Sequence, residues 1–226
     1  MAARNRVVVG LAEEPDVLVQ DFSGRHSTWA VLAPLTLKLV RYDDRWRPWP
    51  EMAERLPTPQ DGSWVRHADG TSTVRYRLRP GLRWHDGRPV TADDAVAGFR
   101  LLRSLDCEYP HREIVEAIDG ITADGRTLTV RWGAGEPYAV FEEWGTVLPA
   151  HLLDAARLAD PAGWPGLPEL RRPMSHGPFR AAEWVPGSGS GWSVTRRTRT
   201  ACRPWRRSSS ATGWAGSRPA TRPASR

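Results

Sequence analysis

Hydrophobic and cationic residues alternate without a break over residues 73–79. Val74, Tyr76 and Leu78 fall on one face, and three Arg side chains fall on the other. Because successive side chains of a strand point to opposite faces, this pattern predicts a half-buried β-strand. Pro80-Gly81 then ends it.

A turn and a helix follow this strand. Asp86-Gly87 predicts the turn, and Thr91 with Asp94 three residues later fits a capping box that opens a helix. The predicted helix ends near Ser104. Its apolar face at helical spacing consists of Ala95, Val96, Phe99 and Leu102.

Weaker patterns predict the other elements. They are a buried strand at 6–11, a helix over 27–41 broken near Pro34, a Trp- and Pro-rich connection at 42–50, turns at 61–62 and 69–70, a hairpin at 118–132 with its turn at 124–125, helices at 138–144 and 149–158, a loop at 161–173 and a strand at 179–185.

The positive charge of the chain is confined to its last part. The formal net charge of the 226 residues is +6, but residues 192–226 contain nine Arg and no Asp or Glu. Residues 1–191 therefore carry 23 basic and 26 acidic residues, a net charge of −3. Because residues 192–226 contain no Ile, Leu, Met or Phe, they cannot bury enough apolar area to offset the entropy of ordering, and we expect a disordered tail.

The sequence gives no sign of a cofactor, a metal or a catalytic centre. The six His residues form no pair at metal-ligand spacing, and no Gly-rich phosphate loop or nucleophile motif occurs. The two Cys residues, Cys107 and Cys202, could pair only if the tail packs on the rest of the chain, so we expect no disulfide framework. No apolar run is long enough to span a membrane. We expect no nucleic-acid partner, although the tail has the composition of a basic arm.

Residues 76–99 resemble a segment of the solute-binding proteins that serve oligopeptide, dipeptide and nickel ABC importers. The resemblance is carried by residues in the family's order and spacing, namely Leu78, Arg79, Gly81, Trp84, Asp86, Gly87, Pro89, Thr91, Ala92 and Asp94. Weaker matches flank this segment, and the resemblance covers about residues 6–188.

The resemblance implies an α/β, periplasmic-binding-protein-like (type II) fold with a mixed sheet, of which this chain holds an incomplete first lobe. Residues 6–41 and 145–188 would belong to the core of that lobe, and residues 42–144 to an inserted subdomain with the strand–turn–helix motif. Residues 189–226 would be the disordered basic tail. An Arg-, Pro-, Ala- and Ser-rich tail is also what a GC-rich gene read in a shifted frame produces.

By the same resemblance, the loop after the first strand faces the ligand cleft. Glu14 and Asp16 are therefore candidates to meet a cationic group of the ligand, and a solvated surface loop is the alternative. Trp29, His111 and Trp144 are further candidates. The residues Leu78, Gly81, Trp84, Asp86, Gly87, Pro89, Thr91 and Asp94 would form scaffold.

The implied function is the capture of a peptide or another small solute for delivery to ABC permease subunits, without chemistry on the ligand. The implied location is extracytoplasmic, whereas residues 1–6 contain no secretory signal, so the chain as written would stay in the cytoplasm. The alternatives are a cytoplasmic solute-sensing regulator domain and a non-functional gene fragment.

Overall fold

A computed structural model describes residues 9–16, 23–104, 112–134, 147–152, 174–183 and 193–196. The helices are α1 (His26–Leu32), α2 (Ala92–Ser104) and α3 (Arg112–Glu116), with a short 3-10 helix at Ala150–Leu152. The strands are β1 (Val40–Tyr42), β2 (Pro48–Pro50), β3 (Trp64–Arg66), β4 (Ser72–Arg77), β5 (Ile118–Asp124), β6 (Thr127–Trp132), β7 (Phe179–Glu183) and β8 (Ser193–Arg196).

An antiparallel sheet with strand order β3-β4-β6-β5 forms the centre of the described part. The predicted alternation places apolar side chains on its inner face, where Val74 pairs with Val130 and Tyr76 with Leu128. All four of these side chains are buried. The strand at 73–79 and the hairpin at 118–132 are thus confirmed.

Helix α2 covers this inner face. Ala95, Val96, Phe99 and Leu102 are buried in the same apolar cluster as the inner residues of the sheet. The predicted helix, its apolar face and its end at Ser104 are confirmed. The carboxylate half of the capping box is present as well, since the Thr91 amide donates to Asp94 Oδ2 at 2.8 Å.

Two smaller antiparallel pairs accompany the central sheet. One joins β1 to β2 and the other joins β7 to β8. The α/β class of the fold is confirmed, and the strand pairs in the described residues are all antiparallel where a mixed sheet was expected.

Several predicted elements differ in the structure. The helix predicted over 27–41 ends before Pro34, and its last part is strand β1, which forms a hairpin with β2 in place of the predicted connection at 42–50. Residues 9–11 lie in no strand, and 6–8 lie outside the described residues. Of the helix predicted at 149–158, residues 150–152 form a 3-10 turn, and 153–158 also lie outside the described residues.

Part of the predicted disordered tail is a strand. Residues Ser193–Arg196 form β8 and pair with β7, so this part of the predicted disordered tail is a strand. The reason is that the backbone of residues 193–196 pairs with β7, and an argument from composition does not consider such partners. Residues 197–226 lie outside the described residues, as do the helix predicted at 138–144 and the loop predicted at 161–173.

Candidate functional site

The carboxylate of Asp16 ties the loop at residues 9–16 to the beginning of α1. The hydroxyl groups of Ser23 and Thr28 both donate to Asp16 Oδ1, at 2.6 and 3.0 Å. Both hydroxyl-bearing residues are buried. Charge-assisted hydrogen bonds of this kind fix the position of the loop against the helix.

Arg25 joins the acidic residues of the same loop. Its guanidinium donates to the Glu14 carbonyl oxygen at 2.9 Å. Its Nε lies 3.5 Å from Asp16 Oδ2 and 4.0 Å from Glu13 Oε2. The loop carries three carboxyl side chains, Glu13, Glu14 and Asp16, and the first and last of these lie within 4.0 Å of Arg25 Nε.

Trp29 forms the apolar side of this cluster. Its indole N–H donates to the Ser23 carbonyl oxygen at 2.9 Å, and its ring lies 6.2 Å from that of His26. The structure therefore brings Glu14, Asp16 and Trp29 together around residues 23–25. The remaining candidates, His111 and Trp144, lie outside the described residues.

Sequence reasoning missed Ser23, Arg25 and Thr28, which complete this cluster. Ser23 and Thr28 are 7 and 12 residues from Asp16 along the chain, so no local spacing relates them to it. The bonds also show that Asp16 has a structural use as well as an exposed position. The side chain of Glu14 is exposed on the same loop.

The motif that carries the family resemblance forms a turn locked onto α2. The buried carboxylate of Asp94 accepts from the Trp84 indole N–H at 3.0 Å and, through its other oxygen, from the Ala150 amide at 2.8 Å. Gly81 and Gly87 have φ values of 78° and 95°, which side-chain-bearing residues rarely adopt. Pro89 is bridged to Arg83 across the turn.

The other motif residues have similar positions. Leu78 is buried and forms a bridge with Ala53. Asp86 accepts from the Arg88 amide at 2.9 Å and contacts His151 Nε2 at 2.7 Å. These contacts hold the backbone of the turn. They are the kind of contact expected of scaffold.

His85 and Ser175 form a pair that resembles a base and a nucleophile at first sight. Ser175 Oγ lies 2.7 Å from His85 Nδ1, and His85 Nε2 lies 3.1 Å from the Gly177 carbonyl oxygen. Since a carbonyl only accepts, Nε2 carries the proton and Nδ1 accepts from the serine hydroxyl. Ser175 is only 1% exposed, so a substrate has no access to it and the pair acts as a structural tie.

His176 lies beside Trp84 in the core. The two rings are 4.7 Å apart, and His176 Nε2 lies 3.2 Å from both the amide and the carbonyl of Leu37. Burial lowers the pKa of the imidazole from 6.5 to about 4, and the positive charge of Lys38 acts in the same direction. The ring is therefore neutral at pH 7.

Gly177 makes a close backbone contact with residues 34 and 35, in the seam between residues 174–177 and residues 34–37. Its amide donates to the Leu35 carbonyl oxygen at 2.8 Å. A Cβ atom at this position would lie 2.5 Å from the Leu35 carbonyl carbon and 2.8 Å from the Pro34 oxygen. Only glycine fits there, because both neighbours are backbone atoms.

Metal and membrane features are absent from the part of the chain that the structure describes. No group of three or more His, Cys, Asp or Glu side chains there is arranged to hold a metal ion. No helix among these residues is long and apolar enough to cross a bilayer.

Comparison with known proteins identifies the family. The profile described as "Bacterial extracellular solute-binding proteins, family 5 Middle" matches residues 47–198. This is more than half of the chain and includes residues 189–198, which were predicted to belong to the tail. The chain belongs to family 5 of the bacterial extracellular solute-binding proteins.

Relatives with known names agree with this assignment. The oligopeptide-binding protein AppA of Bacillus subtilis is 25% identical over 130 residues, which cover 54% of this chain and 23% of AppA. The chain thus spans about a quarter of the length of this curated relative.

Solved structures show the same fold. The oligopeptide-binding protein of Thermus thermophilus, complexed with a pentapeptide, superposes with a TM-score of 0.68 at 20% identity, covering 82% of this chain and 36% of that one. AppA of Bacillus subtilis in complex with a nonapeptide gives a TM-score of 0.63 at 22% identity, covering 77% and 33%. The described fold is that of part of a periplasmic-binding-protein lobe.

Proposed function

We propose that this chain supplies one wall of the ligand cleft in a solute-binding protein that captures a peptide or a related small solute outside the cytoplasm. The captured solute is delivered to the permease subunits of an ABC importer, and no chemistry is done on it. The observation that carries this proposal is the likeness of the chain to about a third of two receptors that were solved with peptides.

The acidic loop supports a role in ligand contact. The loop carries the carboxyl groups of Glu13, Glu14 and Asp16 close to Arg25, and Trp29 is bonded to Ser23 in the same cluster. The first residue of a peptide carries an amino group, which the carboxylates would attract, and often an apolar side chain, which would pack against the indole. The comparisons give no support to the regulator alternative.

A single wall is insufficient for tight binding. In receptors that close around a solute, the ligand shifts the population by contacting both lobes in the closed state. We therefore expect calorimetry of the 226-residue chain to show no saturable heat with short peptides. Micromolar binding by this chain alone would contradict the proposal.

The coding DNA provides a longer protein in which peptide binding can be tested. We propose that the frame of the family continues beyond residue 198 in another reading frame, and a strand pattern there would identify it. The frame-restored protein is then titrated with a short peptide and with its N-acetylated form. Coding DNA without an apolar strand pattern in either other frame would rule out the frame shift.

The candidate carboxylate is tested in the restored protein. Glu14→Gln should weaken binding of the peptide with a free amino group by about fivefold, the worth of one exposed ionic contact. Acetylation of the peptide should abolish the difference between the variants. Glu116→Gln, an exposed change on α3, is the matched control and should leave both affinities unchanged. Equal affinities of E14Q and wild type for the free peptide would remove Glu14 from the site.

A further inference from the structure

The hairpin of β1 and β2 presents a tryptophan to solvent. Trp46 is 83% exposed, the highest value of any large hydrophobic side chain in the described residues. Its φ is 56°, and it is the non-glycine residue with positive φ in this part of the chain. Hairpin loops of this kind usually place glycine in that left-handed conformation, so a tryptophan there is strained.

The side chain of Asp43 builds the turn that holds Trp46. Asp43 Oδ1 accepts from the amides of Arg45 and Arg47, each at 2.9 Å. The Arg47 guanidinium binds Oδ2 at 2.7 Å, and the Trp46 amide donates to the Asp43 carbonyl oxygen at 3.0 Å. The amide and the guanidinium of Arg47 lower the pKa of Asp43 to about 2. The loop is thus held in one conformation at neutral pH.

This combination of strain, order and exposure indicates a binding surface. A bulky residue in a disfavoured backbone conformation persists only where its surroundings determine it, and such residues cluster at functional positions. Tryptophan and arginine are the residue types most enriched at the energetic centres of protein interfaces, and an ordered anchor loses little entropy on binding.

The charges of the tip favour a protein partner over a lipid surface. Asp43 and Asp44 balance Arg45 and Arg47, so residues 43–47 carry no net charge to attract an anionic membrane. Within the described residues, the carboxylate of Asp43 is paired with Arg47, and the exposed guanidinium of Arg45 makes no ion pair. An apolar pocket with a carboxylate beside it is the complementary surface.

We propose that the Trp46 tip, residues 43–47, docks into such a pocket on the membrane subunits of the importer. This inference rests on the proposed function for the identity of the partner. Trp46 fills the pocket, Arg45 meets the adjacent carboxylate, and Asp43 positions both.

The experiment uses the 226-residue chain and the membrane subunits encoded beside its gene, reconstituted in nanodiscs. Trp46→Gly should bind the nanodiscs at least tenfold more weakly, while its urea midpoint stays at or above that of the wild type because glycine relieves the strain. Arg45→Gln should lose a few-fold in affinity, with a difference that shrinks at high salt. Val9→Ala, a truncation of the other large exposed hydrophobic residue, is the control and should bind like wild type.

Other outcomes overturn the proposal. The proposal is wrong if W46G binds the nanodiscs as tightly as the wild type, or if the wild type does not bind them. It is also wrong if the wild type binds protein-free vesicles containing anionic lipid and W46G does not, which would indicate a lipid surface. It is wrong as well if the wild type self-associates in sedimentation and W46G does not, which would indicate a second copy of the chain. The readout requires no solute, whereas the peptide titration of the restored protein requires no permease. A failure of the docking proposal is therefore distinguishable from a failure of the proposed function.

Discussion

The indole N–H of Trp84 donates to the carboxylate of Asp94 at 3.0 Å, and both residues are buried. This bond fastens the turn after β4 to the first turn of α2. The bond gives the segment most recognisable in the sequence a structural use, because it joins an aromatic residue and an acid that are ten positions apart.

Removing the charge of Asp94 should destabilise the protein strongly. The carboxylate is 3% exposed and accepts from Trp84, Thr91 and Ala150. In Asp94→Asn an amide NH₂ replaces one oxygen and faces a donor, so we expect a loss of about 2–4 kcal/mol in the free energy of unfolding, measured by urea denaturation.

Asp93→Asn is the matched control for this change. Asp93 occupies the same helical turn and is exposed. It should change stability by about 0.5 kcal/mol or less, because it loses only an interaction with the helix dipole. Similar effects of D93N and D94N would contradict the structural role of the buried carboxylate.

A methyl group at Gly177 should open the seam between residues 174–177 and residues 34–37. The added Cβ would lie within 2.8 Å of backbone atoms of Pro34 and Leu35, which cannot rotate away. We expect Gly177→Ala to cost about 2–3 kcal/mol by thermal or urea unfolding.

Gly24→Ala serves as the comparison. A Cβ at Gly24 meets no atom within 4 Å, and the residue has no positive φ. Its stability should be unchanged or slightly raised, since alanine restricts the unfolded chain. An unfolding midpoint of G177A equal to that of the wild type would show that the close approach is wrong.

Burial of His176 predicts a pH dependence of stability. Its pKa is 6.5 in the unfolded chain and about 4 in the folded one. Between these values the unfolded state binds more protons, so stability falls as the pH is lowered from 6.5 to 4 and this contribution is constant below. The loss amounts to about 3 kcal/mol, at 1.36 kcal/mol per pKa unit.

The pH dependence is assigned by substitution. His176→Gln should flatten the urea midpoint between pH 6.5 and 4, whereas His67→Gln, at an exposed position, should keep the wild-type slope. The carboxyl groups of Asp43 and Asp61, with pKa values of about 2, act below pH 4, so their effect is separate. An unchanged slope in H176Q would assign the effect to another group.

Features with a local pattern could be predicted from the sequence. The alternation around Tyr76 and the helical spacing through Phe99 bury side chains on one face each, and that periodicity is visible in the residues themselves. The turns at Gly62 and Gly125 have positive φ values and were predicted from the Asp-Gly dipeptides that form them.

Features that depend on residues distant in the sequence could not be predicted. His176 contacts Leu37 across 139 positions, and Trp46 adopts a glycine-like conformation that only the contacts of Asp43 explain. Strand β8 exists because β7 supplies its partners. In the candidate site, Glu14 and Asp16 were selected through a family resemblance, whereas the bonds of Asp16 to Ser23 and Thr28 required coordinates.

The order of the central sheet has a consequence for synthesis. All pairings of β3, β4, β5 and β6 lie within residues 64–132, and helix α2, which covers them, lies in the same interval. The strands of this layer have all their strand partners once those residues have left the ribosome, so the sheet can form early. Residues 174–177 are synthesised afterwards, and they pack over Trp84 on a surface that has already formed.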